Sequence, residues 1–111
     1  FCEDGVMEAA GNIGKGPADL LPMYTAAFKD LGPMPCVHNH TVEIDGDTAT
    51  AIVSVEIRMV QNGEAITAAG HYEDKYRRVG SGSGSGSGSG WKFAHRNLIL
   101  YHQVPHTKGW A

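Results

Sequence analysis

From about residue 37 to residue 102, apolar and polar side chains alternate along the chain. This period of two predicts β-strands over about 37–44, 48–60, 65–79 and 91–102. The earlier part follows a different rule. Leu20, Met23, Tyr24, Ala27 and Phe28 recur at i, i+3 and i+4 spacing, which predicts a helix from about residue 18 to about Leu31. Pro17 suits a first helical position and Asp19 a first turn, while Gly32-Pro33 ends the pattern. Residues 6–9 read as a short strand at best, and Gly11–Gly16 as a loop.

Asp45-Gly46 and Asn62-Gly63 are strong signals for two-residue hairpin turns, and such turns fix which residues face each other. With Asp45-Gly46 central, Val42 is expected opposite Ala49, His40 opposite Ala51, and His38 opposite Val53. With Asn62-Gly63 central, Met59 is expected opposite Ile66, Val55 opposite Gly70, Val53 opposite Tyr72, and Ala51 opposite Asp74. Placing Gly80 opposite Gly90 adds Tyr72–Leu98, Asp74–Arg96 and Tyr76–Ala94. Paired residues share a face. The face so assembled is almost wholly apolar, which supports the register independently of the turns. The opposite face receives His71, Glu73, Lys75, Arg77, His95 and Asn97.

Two polar rows are thereby expected to cross an apolar surface: His40, Ala51, Asp74, Arg96 and His38, Val53, Tyr72, Leu98. Polar groups buried on such a face are paired or functional. An apolar concavity with a few convergent polar groups is a binding-site pattern. His38 and His40 suit general acid/base work, because imidazole titrates near neutrality. Asp74 with Arg96 reads either as a cross-strand ion pair or as part of a pocket. Tyr72, Tyr76, Val53, Met59 and Leu98 are expected as pocket wall, and Trp91 and Phe93 as core or rim packing. The His-x-His pair could chelate a metal with Asp74 as a third ligand, but Arg96 competes for that carboxylate; no metal site and no cofactor are expected.

Composition narrows the class. The chain has 111 residues and a net charge of −3 with histidine neutral, enough for one core. Nine basic residues are scattered rather than clustered, which argues against nucleic-acid binding. No apolar run approaches the roughly 18 residues of a membrane span, and no signal-peptide pattern opens the chain. Cys2 and Cys36 lack metal-like or CxxC spacing and read as free thiols of a cytoplasmic protein. Residues 80–90 alternate Gly and Ser. They read as a flexible linker inside a hairpin, inserted or engineered and dispensable for folding.

VEIDGDTATA (42–51), AGHYEDKYRRV (69–79) and WKFAHR (91–96), with FCEDGVMEAAG and GKGPADLL upstream, resemble SnoaL-like proteins of the nuclear transport factor two superfamily. That superfamily includes polyketide cyclases, scytalone dehydratase, ketosteroid isomerase and limonene-epoxide hydrolase, beside noncatalytic modules. The resemblance covers nearly the whole chain outside the Gly/Ser tract. It implies one domain over 1–111 with an α+β fold: a cone-shaped roll in which a strongly bent antiparallel sheet packs on helices. It also implies that the strand position of Tyr72 lines the pocket, and that members often dimerise through the outer sheet face. Related dehydratases use a pair of pocket histidines and an aspartate near a long N-terminal helix. Here Met59 stands where a second histidine is expected, and the long N-terminal helix is absent. The chain therefore reads as a fragment, less stable than a version with that helix and prone to associate.

The expected function is a cofactor-independent lyase or isomerase acting on a small cyclic or aromatic hydrophobic molecule. His40 or His38 would move the proton, Asp74 would orient a histidine or hold charge, and Tyr72 would donate to an oxyanion. The alternative is a noncatalytic ligand-binding or dimerisation module of the same fold.

Overall fold

A computed structural model describes residues 1–9, 11–80 and 90–108, so residues 81–89 of the Gly/Ser tract, and its expected dispensability, lie outside the described residues. The elements in order are β1 (Val6–Ala9), β2 (Asn12–Lys15), α1 (Gly16–Asp30), β3 (Met34–Asp45), β4 (Thr48–Gln61), β5 (Glu64–Val79), β6 (Gly90–Pro105) and a short 3₁₀ turn, His106–Lys108. All six strands form one sheet in the order β2-β1-β6-β5-β4-β3. Every neighbouring pair is antiparallel except β1–β6, which is parallel. The fold is the α+β cone, with two corrections. The sheet is mixed rather than purely antiparallel, and the expected loop at 11–16 contains β2. That strand turns back on β1 as a four-residue partner, too short for an alternation signal to register.

Alternation builds the core. On β4, Ala49, Ala51, Val53, Val55, Ile57 and Met59 are buried, while residues between them face out. Ile66, Ala68 and Tyr72 of β5 continue the same face, and α1 adds Leu20, with Met23, Tyr24 and Leu31 packed alongside. Both ends of α1 are tied to the rest of the fold: Gly16 N–H donates to Gly5 O at 2.8 Å, and Val60 N–H donates to Leu31 O at 3.0 Å. Asp19 Oδ2 accepts from the Lys15 backbone N–H at 3.0 Å, satisfying one unpaired donor at the helix start.

The β4–β5 register is the expected one: Val53 faces Tyr72 and Ala51 faces Asp74. Asn62 and Gly63 both carry positive φ, as the mirror-image type I turn requires. The β3–β4 register differs by two residues. The turn centres on Gly46-Asp47, and only Gly46 of that pair has positive φ, the pattern of a type II′ turn. Asp45 therefore pairs with Thr48, Val42 with Ala51, and His40 with Val53. A shift of two preserves the face and moves each residue one row along it. A bulge between Val37 and His40 then changes the parity of the strand, removing His38 from the inner face. On β5–β6, Asp74–Arg96 and Tyr72–Leu98 pair as expected, but a bulge between Lys75 and Tyr76 places Phe93, not Ala94, opposite Tyr76.

α1 is 15 residues long, about 22 Å at 1.5 Å per residue, and it covers one end of the concave face. At the other end Val37, Val42 and Ile44 are 55%, 47% and 67% exposed.

Candidate functional site

Asp74 anchors the site. It lies on the inner face of β5, opposite Ala51 and Arg96 on the flanking strands, and is 2% exposed. A buried carboxylate needs partners, and Asp74 has three bonds. Arg96 Nε donates to Oδ1 and Arg96 Nη2 to Oδ2, both at 2.8 Å, and the Tyr76 hydroxyl donates to Oδ2 at 2.9 Å. The Arg96 guanidinium also stacks on two rings, 3.7 Å from the Tyr72 centroid and 4.2 Å from that of Phe93. Two hydrogen bonds and two ring contacts hold the guanidinium in one plane.

Protonation states follow from this packing. Burial, together with the hydrogen bond to Asp74, pushes the Tyr76 hydroxyl up to about 12. Burial raises the Tyr72 hydroxyl too, against the pull of Arg96. For Arg96, burial works against the charged form, but the Asp74 bonds and charge outweigh it and the pKa rises. Both tyrosines are therefore O–H donors at neutral pH, and Arg96 is charged.

Two hollows adjoin this centre on the concave face. A cleft of about 490 Å³ is lined by Val37, His40, Val42, Ile44, Ala49, Tyr76, Trp91, Phe93 and Arg96. A cavity of about 370 Å³ lies between α1 and the sheet, with Met23, Tyr24, Ala27, Phe28 and Leu31 above and Ile57, Met59, Tyr72, Leu98 and Leu100 below. Met23 can lie close over β2 because position 14 is glycine: a Cβ there would sit 2.9 Å from the Met23 sulfur. A third groove, of about 470 Å³, runs over the convex face among Thr41, Glu43, Thr50, Ile52, Glu73, Lys75, His95 and Asn97. Asp74 also borders it, but that carboxylate is turned to Arg96.

The residues singled out in the sequence distribute as follows. His40, Tyr76 and Arg96 share the cleft, with His40 one row from Asp74 rather than in its row. Tyr72, Met59 and Leu98 line the cavity under α1. Val53 is fully buried beneath them. His38 is turned to the convex face, where its Nε2 lies 3.6 Å from Glu56 Oε1. Asp74 is committed to Arg96 and Tyr76 and makes no contact that would orient an imidazole. Among the described residues, no cluster of three or more His, Cys, Asp or Glu is arranged to hold a metal ion. Trp91 and Phe93, expected as core or rim packing, both wall the cleft. Strict alternation from Arg96 puts Phe93 outside, and only the bulge at Lys75/Tyr76 brings it in.

The architecture recurs in solved structures. A protein of unknown function from Mycobacterium tuberculosis superposes with a TM-score of 0.75 at 23% identity, over 90% of this chain and 55% of its own. This chain thus spans little more than half the length of that neighbour. A hexachlorocyclohexane dehydrochlorinase, LinA type 3 from Novosphingobium barchaimii, gives 0.75 at 21% identity, over 95% of this chain and 70% of its own. A scytalone dehydratase candidate from Novosphingobium aromaticivorans gives 0.76 at 18% identity, over 95% and 68%. At such identities the likeness speaks for the fold alone. No curated protein matches the sequence. The profile of the SnoaL-like domain matches residues 1–97, and with that match over most of its length the chain belongs to the SnoaL-like domain family.

Proposed function

We propose that the protein is a cofactor-independent lyase or isomerase that moves a proton on a small cyclic or aromatic hydrophobic molecule, with His40 as the acid/base. One observation carries this reading: His40 and Arg96 are the two polar basic groups lining a cleft otherwise walled by aliphatic and aromatic side chains. A neutral imidazole takes a proton from a ring carbon. The C–H electron pair then forms a double bond and expels a leaving group, or the imidazole returns the proton to a second carbon. Arg96, held rigid by Asp74 and two rings, presents its remaining Nη1 edge to the atom on which charge develops. Tyr72 sits at the boundary with the cavity under α1, which would hold the apolar body of the substrate.

The neighbours' reactions suggest the first substrates, hexachlorocyclohexane and scytalone. Release of chloride or loss of water, followed with purified protein, tests the reading. His40→Ala is expected to lower the rate about 10²- to 10⁴-fold and Arg96→Gln at least about 10²-fold. Turnover that survives His40→Ala contradicts it.

A noncatalytic ligand-binding module is the second reading. The observation favouring it is that Asp74 is engaged by Arg96 and Tyr76, so that carboxylate does not polarise His40. Saturable binding without turnover on either substrate would select it. Free Cys2 and Cys36 support a reducing, cytoplasmic setting. The mixed-charge convex face, on which Ile52 is exposed, supports a homodimer. No described helix is long and apolar enough to cross a membrane.

A further inference from the structure

The charge on Arg96 is cancelled from behind. The Asp74 side chain is completely buried, whereas that of Arg96 is 18% exposed and borders the cleft. The carboxylate takes Nε and Nη2, and the planar guanidinium then directs Nη1 away from it. A ligand oxygen on Nη1 therefore meets a hydrogen-bond donor whose positive charge is backed by a negative one on the far side. That second charge offsets on the order of half of the attraction an anion would feel. The rest of the wall offers little to repay the several kcal/mol needed to strip water from a carboxylate, since Val37, Val42, Ile44, Phe93 and Trp91 are apolar or aromatic. A neutral carbonyl oxygen pays far less to leave water and still accepts the hydrogen bond. Tyr76 and Phe93 pack on each other with centroids 5.2 Å apart, and with Trp91 at the rim they form an aromatic wall on which a flat ligand stacks.

We propose that the cleft selects flat, uncharged ligands bearing a hydrogen-bond acceptor over anions of the same shape, and that Asp74 sets this selectivity by neutralising Arg96. This rests on the cleft being the ligand site of the proposed function, but not on turnover there. Nearby stand Tyr24, Tyr72 and Tyr76, whose hydroxyls burial raises and so keeps neutral, His40 on the cleft wall, and Arg78 behind the Trp91 ring at 4.8 Å. Arg78 is itself 3.6 Å from Asp47, so it adds no uncompensated charge.

The probes are 2-acetylnaphthalene and 2-naphthoate, which share a ring system and differ in charge. Equilibrium dialysis at pH 8.5, where an ordinary imidazole is uncharged, gives both dissociation constants. The ketone is expected to bind about tenfold tighter or more, a difference of about 1.4 kcal/mol or more. Asp74→Asn leaves Arg96 uncompensated and is expected to reverse the order. Because that variant strands a charge and can lose the fold, Asp74→Leu/Arg96→Met provides a second arm. It replaces the pair by apolar side chains of similar volume, a change that buried pairs tolerate. In it the ketone is expected to lose about tenfold in affinity, with naphthoate binding no better. Naphthoate binding as tightly as the ketone to the unaltered protein overturns the proposal, as does binding of neither probe. So does a double variant that binds the ketone as tightly as the unaltered protein does. A ketone preference in a protein without turnover would retain this selectivity and remove only the catalytic reading.

Discussion

Asp74 has no water to fall back on, so its three hydrogen bonds determine how the site responds to mutation. Asp74→Ala leaves Arg96 half-buried with its counter-charge gone, and truncating one partner of such a pair typically costs 3–5 kcal/mol. Urea unfolding of the variant is expected to show a loss of about that size, while Asp74→Leu/Arg96→Met stays close to the parent. Tyr76 adds a second signature. Its hydroxyl is raised from 10.0 to about 12. A group whose folded pKa lies above the unfolded one stabilises the fold fully below the unfolded value, and that stability is lost as pH rises through the folded value. The window is therefore pH 10 to 12. Absorbance at the tyrosinate band is expected to show a late-titrating tyrosine that disappears in Tyr76→Phe. A titration unchanged by that substitution contradicts the Asp74 contact. At this scale the Asp74–Arg96 pairing was legible from placing Gly80 opposite Gly90: the strands in fact start at Val79–Gly90, and the bulge at Lys75/Tyr76 restores the expected register. The row of His40 was not. Asp45-Gly46 and Gly46-Asp47 are both good turn pairs, and nothing in local composition says which residue takes the first central position.

The bulges decide what each strand presents. β5 and β6 are out of simple register at Ala69/Gly70 and again at Lys75/Tyr76. The first depends on glycine: a Cβ at Gly70 would collide with the carbonyl of Ile99 across the strand pair. Gly70→Ala must therefore push the two backbones apart, at a cost of about 3 kcal/mol, the upper end for overpacking. A melting temperature equal to that of the unaltered protein would show that β6 yields there freely. The sequence contained Gly70 but not the bulge, since glycine on a buried strand face equally fits a close ring or ligand approach. The bulge that turns out His38 and the one that turns in Phe93 have no marker residue at all. They answer to the curvature of the whole sheet. Helix α1 was legible within two residues at its start, because its apolar spacing and the Gly32-Pro33 stop agree.

Among the described residues, α1 and the six-stranded sheet leave the concave face half covered. The covered half carries the cavity under α1, and the open half carries the cleft with His40 and Arg96. Val37, Val42 and Ile44 remain accessible around it, and an apolar patch of that kind attracts any apolar partner. A dye that fluoresces on apolar surfaces is expected to bind this chain, and sedimentation to show concentration-dependent association. A strictly monomeric chain that ignores the dye would mean that the patch is closed in solution. The overall architecture was legible from alternation, turns and motif resemblance together. The division of the concave face into two hollows was not, because it depends on where one helix lies across the sheet.

Ligands engage the protein, on this reading of the structure, at the cleft between His40 and Arg96. The most direct measurement is a map of amide and side-chain NMR shifts during titration with 2-acetylnaphthalene. Saturable shifts are expected, concentrated at His40, Tyr76, Trp91, Phe93 and the Arg96 guanidinium. Shifts confined to the convex face around Glu73, Lys75 and His95, or none at concentrations approaching the probe's solubility, would contradict it.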